Sequence, residues 1–159
     1  MNIFPSKLGL GTAQWGMPYG VSNSKGQTPT DEVNRILRFA HSAGISMIDT
    51  ASLYGNAEQA IGQSNIASFR VITKTPKFGK HMVTHDDVDL LIQTFTESLK
   101  KLRLQSVYGL LIHNADDLKA KNVCLLIDAL EDLKSQGFVE KIGVSVYGSE
   151  QIKRSLDLF

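Results

Sequence analysis

The stretch Ile45-Ser-Met-Ile-Asp-Thr-Ala-Ser-Leu-Tyr54 decides how the rest of this sequence is interpreted. Its apolar beginning ends abruptly at a carboxylate, Asp49, and Tyr54 follows five positions later beside Gly55 and Asn56. A glycine next to an asparagine is typical of a turn. The pattern therefore predicts a strand that delivers Asp49 at its carboxyl end, and a loop that brings Tyr54 back over it. A carboxylate and a phenol held together in this way would form a proton-handling pair.

Two later stretches repeat the pattern of a short apolar strand that ends in an ionisable residue. The stretch Arg70-Val-Ile-Thr-Lys74 ends in a lysine, and Val107-Tyr-Gly-Leu-Leu-Ile-His113 ends in a histidine. Thr75 precedes Pro76, and a residue before proline is disfavoured in a helix, so the first of these strands stops there. Three strands that each end in a different chemically useful side chain predict one shared site.

Helical patterns alternate with the strands, which we expect to begin near residues 8, 45, 70, 107 and 141. Five helices are predicted. The first has Thr30 as its N-cap and Gly44 after its end, and the next two span 56–64 and 86–102. The fourth has Val123, Ile127, Leu130 and Leu133 on one side, and the fifth begins at Ser149 and contains Ile152, Leu156 and Phe159. This alternation indicates an α/β protein with a parallel sheet buried on both faces. Periodicity leaves open whether the sheet is doubly wound or part of a barrel, and the active face lies at the carboxyl strand ends in both.

Neighbouring parallel strands would place Asp49, Lys74 and His113 side by side at the carboxyl edge of the sheet. We expect Lys74 to stay charged next to the carboxylate and to bring the pKa of Tyr54 down from about 10 towards the working range. His113 would donate a hydrogen bond to a substrate oxygen. This set suits protonation of a carbonyl oxygen as hydride reaches its carbon. Each residue also has a simpler explanation, in which Asp49 caps its loop, Lys74 is solvated and Tyr54 packs the loop.

The bulk composition bounds the class of protein. The chain has 159 residues, the size of one ordinary domain, and 42% are hydrophobic, so it can bury a sizeable core. A formal charge of +1 without a long basic run argues against nucleic-acid binding. No apolar run approaches the about 20 residues of a membrane span, and the N-terminus lacks the pattern of a signal peptide. We therefore expect a soluble, cytoplasmic, single-domain protein over 1–159 that does not engage a membrane.

Other candidate sites in the sequence are weaker. Gly11 is followed three positions later by Gln14, so the glycine-rich start does not fit the dinucleotide-binding fingerprint. His81 and His85 are spaced for a helix but His81 falls in a loop, and we expect no metal site. Cys124, the one cysteine, borders the apolar side of a predicted helix, where small buried thiols are common.

These motifs, taken together, resemble the aldo-keto reductase family. Leu8-Gly-Leu-Gly-Thr12 is similar to the first barrel strand of that family. Gly44 to Glu58 is similar to its signature, in which a glycine precedes a strand, then Asp-Thr-Ala, then Tyr-Gly and a glutamate. Ile72 to Lys74 and Leu111 to His113 match two further strands that carry catalytic residues, and Ile142 to Ser145 matches the strand with a nicotinamide-binding serine. The resemblance covers nearly the whole chain in the family's order.

The resemblance implies a parallel (β/α)8 barrel of the TIM type that reduces an aldehyde or ketone to an alcohol. Its cofactor would be NADPH, with NADH as the alternative. The catalytic residues it implies are Tyr54 as proton donor, Lys74 to lower the pKa of that tyrosine, Asp49 to hold the lysine, and His113 to orient the carbonyl. It further implies Gly11, Thr12, Asp49 and Ser145 as cofactor contacts, and Trp15 and His113 as substrate contacts.

Two departures from the family pattern qualify this expectation. Val146 stands where the family commonly has an asparagine that holds the nicotinamide carboxamide. Eight βα units need about 250 residues, whereas this sequence contains about five. We therefore expect the N-terminal portion of a longer protein, or a truncated gene product. The alternative function is a catalytically silent fragment that acts by protein interaction, with self-association through the open sheet edges.

Overall fold

A computed structural model describes residues 7–156, which form a five-stranded sheet. All four neighbouring strand pairs are parallel, and the spatial order of the strands follows the chain. The strands are β1 (Gly9–Gly11), β2 (Met47–Asp49), β3 (Arg70–Lys74), β4 (Val107–Ile112) and β5 (Val139–Val144). The predicted strand–helix alternation is confirmed.

Helices follow the strands, as the apolar periodicity predicts. They are α1 (Ala13–Gly16), α2 (Thr30–Ser42), α3 (Ala57–Gly62), α4 (His85–Leu102), α5 (Cys124–Ser135) and α6 (Ser149–Leu156), with a 3-10 helix at Ala115–Lys119 between β4 and α5. Neither α1 nor the 3-10 helix is predicted from the sequence. Each is little more than one turn long, too short to show a helical period.

The strand order decides between the two architectures that periodicity leaves open. Each connection leads to the next neighbouring strand without a reversal of direction, as in a barrel. A doubly wound sheet would instead reverse its order at a switch point. Because crossovers between parallel strands are right-handed, connections that always step the same way leave their helices on one face of the sheet. The described residues are therefore a partial barrel of the TIM type.

The two faces of the sheet differ in burial. Ile48, Val71 and Leu110 are at most 1% exposed and belong to the hydrophobic core. Alternate positions such as Met47 and Ile72 are only half-buried. In the part of the chain that the structure describes, the expectation of two buried faces is therefore correct for one face and wrong for the other. The half-buried face is the one that becomes the interior when such a sheet closes into a barrel.

Several element boundaries differ from the prediction by one to two residues. Pro29, and not Thr30, is the N-cap of α2, and the side chain of neither residue caps the helix by a hydrogen bond. Gly44 follows the helix end, as predicted, and adopts a left-handed φ of 78°. The fifth strand begins at the buried Val139, two residues earlier than predicted. It ends at Val144, so Ser145 lies just beyond its end.

The buried sides of the last two helices also differ from the prediction. In α5 the buried residues are Leu126, Ala129, Leu130 and Leu133. Ile127 is only half-buried and Cys124 is exposed, so the interpretation of Cys124 as a small buried thiol is wrong. Leu126 lies four residues before Leu130, which lies three residues before Leu133, so this set also fits helical spacing. The packing of the helix in the fold decides that this set is the buried one. In α6, Ile152 and Leu156 are exposed, and Phe159 lies outside the described residues.

Helix α4 begins at a network centred on one buried carboxylate. Asp87, which is 2% exposed, accepts hydrogen bonds at Oδ2 from the backbone N–H and the hydroxyl of Thr84, at 2.9 and 3.0 Å. Its Oδ1 accepts from the Lys80 ammonium at 2.6 Å. The hydrogen bond from Lys80 lowers the pKa of Asp87 below its usual 3.8, and the hydrogen bonds from Thr84 lower it further against the effect of burial.

We predict that Asp87→Asn lowers the free energy of unfolding by about 1–2 kcal/mol at neutral pH, since a cap and a charged partner are lost. A depressed pKa in the fold means that the carboxylate contributes stability above its unfolded pKa, and that this contribution disappears as the pH falls through the folded pKa. Urea titrations should therefore show a difference between wild type and variant that shrinks below about pH 4. The exposed neighbour Asp86→Asn is the control, and an equal loss there would refute the assignment.

Candidate active site

The carboxyl edge of the sheet holds a buried ion pair. The Lys74 ammonium, at the end of β3, donates to Asp49 Oδ1 at 2.5 Å and to the Thr50 backbone carbonyl at 2.9 Å. The Lys74 side chain is only 4% exposed, whereas that of Asp49 is 46% exposed. A buried ammonium is costly unless it is paired and hydrogen-bonded, and here it is both. The simpler explanation of Lys74 as a solvated residue is therefore excluded.

Tyr54 lies between this ion pair and His113. The centre of its ring is 5.1 Å from the Lys74 ammonium nitrogen. The rings of Tyr54 and His113 meet edge to face, with centroids 5.8 Å apart and planes at 87°. The structure thus brings all four residues predicted as a catalytic set together at one edge of the sheet. It also places Asp49 at the end of β2, as predicted.

The acidity of Tyr54 differs from the sequence expectation. Burial raises the pKa of the Tyr54 hydroxyl above its usual 10.0, and the negative charge of Asp49 raises this pKa further, with smaller effects of Tyr147 and Tyr19. The net direction is opposite to the one that we expect from Lys74. The physical reason is that burial and the nearby negative charge of Asp49 both disfavour the phenolate. Tyr54 is therefore a protonated phenol throughout the neutral range.

His113 follows β4 directly and is only 7% exposed. Burial lowers the pKa of its imidazole below 6.5, and the ammonium groups of Lys77 and Lys74 lower it further. The backbone N–H of His113 donates to the Thr75 hydroxyl at 3.2 Å, and Nδ1 is buried without a hydrogen-bond partner in the described part of the chain. Because an orphaned buried N–H is rarer than an orphaned acceptor, the neutral ring is best assigned its proton on Nε2.

The loop that carries Tyr54 is positioned by a close approach of two backbones. A Cβ at Gly16 would lie 1.6 Å from the Tyr54 carbonyl oxygen, and a Cβ at Gly55 would lie 2.2 Å from the Gly16 carbonyl oxygen. The turn is closed on its own side by a hydrogen bond from the Tyr54 N–H to the Ala51 carbonyl, at 3.0 Å. The end of α1 thus fixes where the tyrosine stands. The sequence shows Gly16 only as an irregular position.

The residues predicted to contact a cofactor occupy different environments. Thr12 is fully buried, and its hydroxyl and backbone N–H both donate to the Asp49 carbonyl, at 3.0 and 3.1 Å. It therefore anchors the end of β2, and its cofactor contact stays a prediction. Gly11 is exposed, with nothing within 4 Å of the space a Cβ would occupy. Ser145 is half-buried, and its N–H donates to the Ile112 carbonyl at 2.9 Å.

Trp15 is predicted as a substrate contact, and the structure places it in α1 at 4% exposure, within the hydrophobic core. Its backbone carbonyl accepts from the Gln27 side chain at 2.8 Å. In this arrangement the indole offers little surface to a substrate, and the predicted contact stays a prediction.

Two buried carboxylates next to the site have no role predicted from the sequence. Glu58, which is 2% exposed, accepts from the Thr73 hydroxyl at 2.7 Å and links α3 to β3. Asp117, which is 1% exposed, accepts from the backbone N–H groups of Phe78 and Gly79. The Asn-Ala-Asp-Asp pattern that starts at Asn114 is a turn signal, and it could have identified the second of these.

In residues 7–156, no three His, Cys, Asp or Glu side chains converge as metal ligands. None of the helices in this range has both the length and the hydropathy to cross a membrane. A shallow hollow lined by Phe69, Arg70 and Tyr108 lies at the opposite, amino-terminal edge of the sheet, away from the four clustered side chains.

Comparison with known proteins identifies the family of the chain. The model of the Aldo/keto reductase family matches residues 7–157. The chain belongs to this family. An aldo-keto reductase of Bombyx mori is 31% identical over 145 residues, which cover 85% of this chain and 47% of that protein. Methylglyoxal reductase DkgB of Salmonella typhi is 33% identical over 118 residues, which cover 72% and 43%.

Solved structures of aldo-keto reductases share the fold. The Bombyx mori protein in complex with NADP has a TM-score of 0.67 at 27% identity, and the match covers 94% of this chain and 50% of that one. An aldo-keto reductase from Bacillus halodurans has a TM-score of 0.70 at 23% identity, a likeness of fold alone. The chain spans about half the length of the curated relatives it matches.

We predict that Gly16→Ala costs about 1–3 kcal/mol in the free energy of unfolding, because the added Cβ must push the Tyr54 turn away. Urea titration of the variant measures this cost. Gly148→Ala is the matched control, since nothing lies within 4 Å of its Cβ position. If the two variants were equally stable, the contact between α1 and the Tyr54 turn would not be a constraint on this aldo-keto reductase fold.

Proposed function

We propose that this chain carries the catalytic centre of a carbonyl reductase that uses NADPH, with NADH as the alternative. The observation that supports the proposal is the Tyr54 ring held between the Lys74–Asp49 ion pair, 5.1 Å from the ammonium, and the His113 ring, 5.8 Å away. These groups converge at the carboxyl strand ends, where barrel enzymes of this type carry out their chemistry. Membership of the aldo/keto reductase family supports the same activity.

Tyr54 would donate the proton to the carbonyl oxygen as that oxygen gains negative charge. A pKa raised above 10.0 suits this role, because the phenol keeps its proton at neutral pH while an alkoxide is a far stronger base. The Nε2–H of a neutral His113 would donate a hydrogen bond to the same oxygen and orient it. Lys74 and Asp49 together add no net charge, and they hold the strand ends at which the donors stand.

The residues present fit a nicotinamide cofactor along the first and second strands. Gly11 leaves open space at the end of β1, and the half-exposed Asp49 keeps Oδ2 beyond its contact with Lys74. Ser145, just past β5, would complete the contacts, with Val146 unable to hold a carboxamide through its side chain. When bound, the reduced cofactor supplies the hydride. The NADP complex of the Bombyx mori relative supports this assignment.

A small aldehyde is the first substrate class to assay. One relative, at 33% identity, is a methylglyoxal reductase, and a small 2-oxoaldehyde is therefore a suitable probe.

We predict that Tyr54→Phe lowers kcat for carbonyl reduction by about 10²–10⁴-fold, the usual contribution of general acid catalysis. NADPH consumption is measured with methylglyoxal on the 159-residue chain and, where the gene continues, on its longer product. Since the phenol must be protonated to donate and its pKa lies above 10.0, wild-type kcat should not fall between pH 7 and about 9 through this group.

Tyr19→Phe is the matched control for this experiment. Tyr19 is an exposed phenol near enough to raise the pKa of Tyr54, but it is not part of the four-residue cluster. It should retain wild-type turnover within a few fold. Unchanged kcat in Tyr54→Phe would rule out the role of the phenol as proton donor.

The second candidate function is a catalytically silent chain that acts through protein interaction. Strands β1 and β5 are the edges of the described sheet, and unpaired strand edges template pairing with other chains. The half-buried face that carries Met47 and Ile72 adds apolar surface. These features favour self-association over cofactor binding for the 159-residue chain taken alone.

This second function predicts that the 159-residue chain shows concentration-dependent association in size-exclusion chromatography and weak NADPH binding in a fluorescence titration. The physical reason is the pair of open edges together with the half-covered sheet face. A monomer that melts cooperatively and binds NADPH at micromolar concentration would contradict this prediction. That outcome would support the reductase proposal for the chain as it stands.

A further inference from the structure

The buried carboxylate of Glu58 contacts β3 on the face opposite to the ion pair. Its Oε1 accepts from the Thr73 hydroxyl at 2.7 Å, and this threonine directly precedes Lys74 in the strand. Successive side chains of a strand point to opposite faces. Thr73 therefore lies on the core side with Val71, whereas Lys74 lies on the half-buried side with Ile72. The end of the strand is thus held from both faces.

Glu58 follows the Tyr54 turn almost directly. The turn leads into α3, since the N–H of Ala57, the first residue of that helix, donates to the Tyr54 carbonyl at 3.0 Å. Glu58 is the second residue of the helix. A contact that fixes Glu58 therefore also fixes the end of the turn that carries the tyrosine.

Segment 49–58 is tied to the end of β3 on both sides of Tyr54. Before the tyrosine, the ties are the ion pair and a hydrogen bond from the Ser52 hydroxyl to the Lys74 carbonyl, at 3.2 Å. After it, the tie is the Glu58 carboxylate. The 5.1 Å distance from the Tyr54 ring centre to the Lys74 ammonium nitrogen is measured within this closed arrangement.

Glu58 holds α3 to the strand in a way that costs more free energy than apolar packing would. It is 2% exposed, and no lysine or arginine side chain in residues 7–156 forms an ion pair with it. Burial of a carboxylate carries a large desolvation cost, which apolar packing avoids. A hydrogen bond, however, fixes both a distance and a direction, and an apolar contact fixes neither. This difference favours a role in position over a role in stability.

We propose that Glu58 is a positioning residue of the candidate active site, which fixes the Tyr54 turn relative to Lys74 through its hydrogen bond with Thr73. The other main neighbours of α3 are helices, so this bond refers the turn to the strand itself. Placement matters because a shift of about 1 Å in a reacting group can cost about 10²-fold in rate. The catalytic consequence rests on the proposed function, whereas the link between turn and strand does not.

The test uses the double variant Glu58→Met/Thr73→Val, which removes both partners of the hydrogen bond together. Loss of one partner leaves a buried polar group unsatisfied, but replacement of both by apolar groups of similar shape can be nearly neutral. We therefore expect the double variant to melt close to the wild type. Amide hydrogen exchange at Tyr54 and Ala57, measured by mass spectrometry, should nevertheless be about three- to tenfold faster, the effect of one lost hydrogen bond on local opening.

In carbonyl reduction the double variant should lose about 10–10²-fold in kcat while KM for the carbonyl stays within a few fold. Glu58→Gln keeps an acceptor for the Thr73 hydroxyl and should retain kcat within a few fold. Asp87→Asn is the matched control, because Asp87 is also 2% exposed and also accepts from a threonine hydroxyl, but at the start of α4. It should lower stability and leave kcat unchanged, whereas a purely structural Glu58 would show the reverse pattern.

A folded double variant with wild-type hydrogen exchange at the turn, or with wild-type kcat, would overturn the proposal. If the double variant failed to fold, Glu58→Asp would decide. Its carboxylate is a methylene shorter and reaches Thr73 only if the turn moves, so wild-type exchange in that variant would also overturn the proposal. An inactive wild-type chain would refute the proposed function instead, and hydrogen exchange would still show whether Glu58 positions the turn.

Discussion

The salt bridge between Lys74 and Asp49 is the interaction on which the site depends. It joins the ends of two neighbouring strands through side chains, at a point where the backbone ladder has stopped. The ammonium is buried and also donates to the Thr50 carbonyl, so it would lose its charged partner if the carboxylate moved away. The cost of an unpaired buried charge therefore keeps β2 and β3 in register at the edge where Tyr54 and His113 stand.

Further contacts to the backbone help to position the site, and they come from elements on both sides of the Lys74–Asp49 pair. Thr12 fastens β1 to the Asp49 carbonyl, and the Gly16 backbone meets the Tyr54 turn. On the other side, Thr75 and Asp117 connect the loop after β3 to the segment after His113. The four clustered side chains are thus held by elements that follow four successive strands. Such preorganisation is what a site needs if its donors are to meet a developing charge without rearrangement.

The sequence alone predicts the alternation of strands and helices, and it predicts which residues end β2, β3 and β4. These are properties of apolar runs and their terminal residues, so they can be read locally. The strand order, which separates a barrel from a doubly wound sheet, is a long-range property. The direction of the shift in the Tyr54 pKa differs from the expectation, because burial and the placement of Asp49 are visible only in three dimensions. The approach of Gly16 to Tyr54 is equally non-local.

Burial shifts the pKa values of Tyr54 and His113 in opposite directions, and both shifts have the same chemical result. The phenol is raised above 10.0 and the imidazole is lowered below 6.5, so each is neutral and able to donate at neutral pH. Since Asp49 and Lys74 cancel each other's charge, the site offers two neutral donors to an incoming oxygen. In the proposed reduction of a carbonyl, that oxygen becomes negative and needs a proton donor. Burial of these two rings therefore keeps both groups protonated for that step at neutral pH.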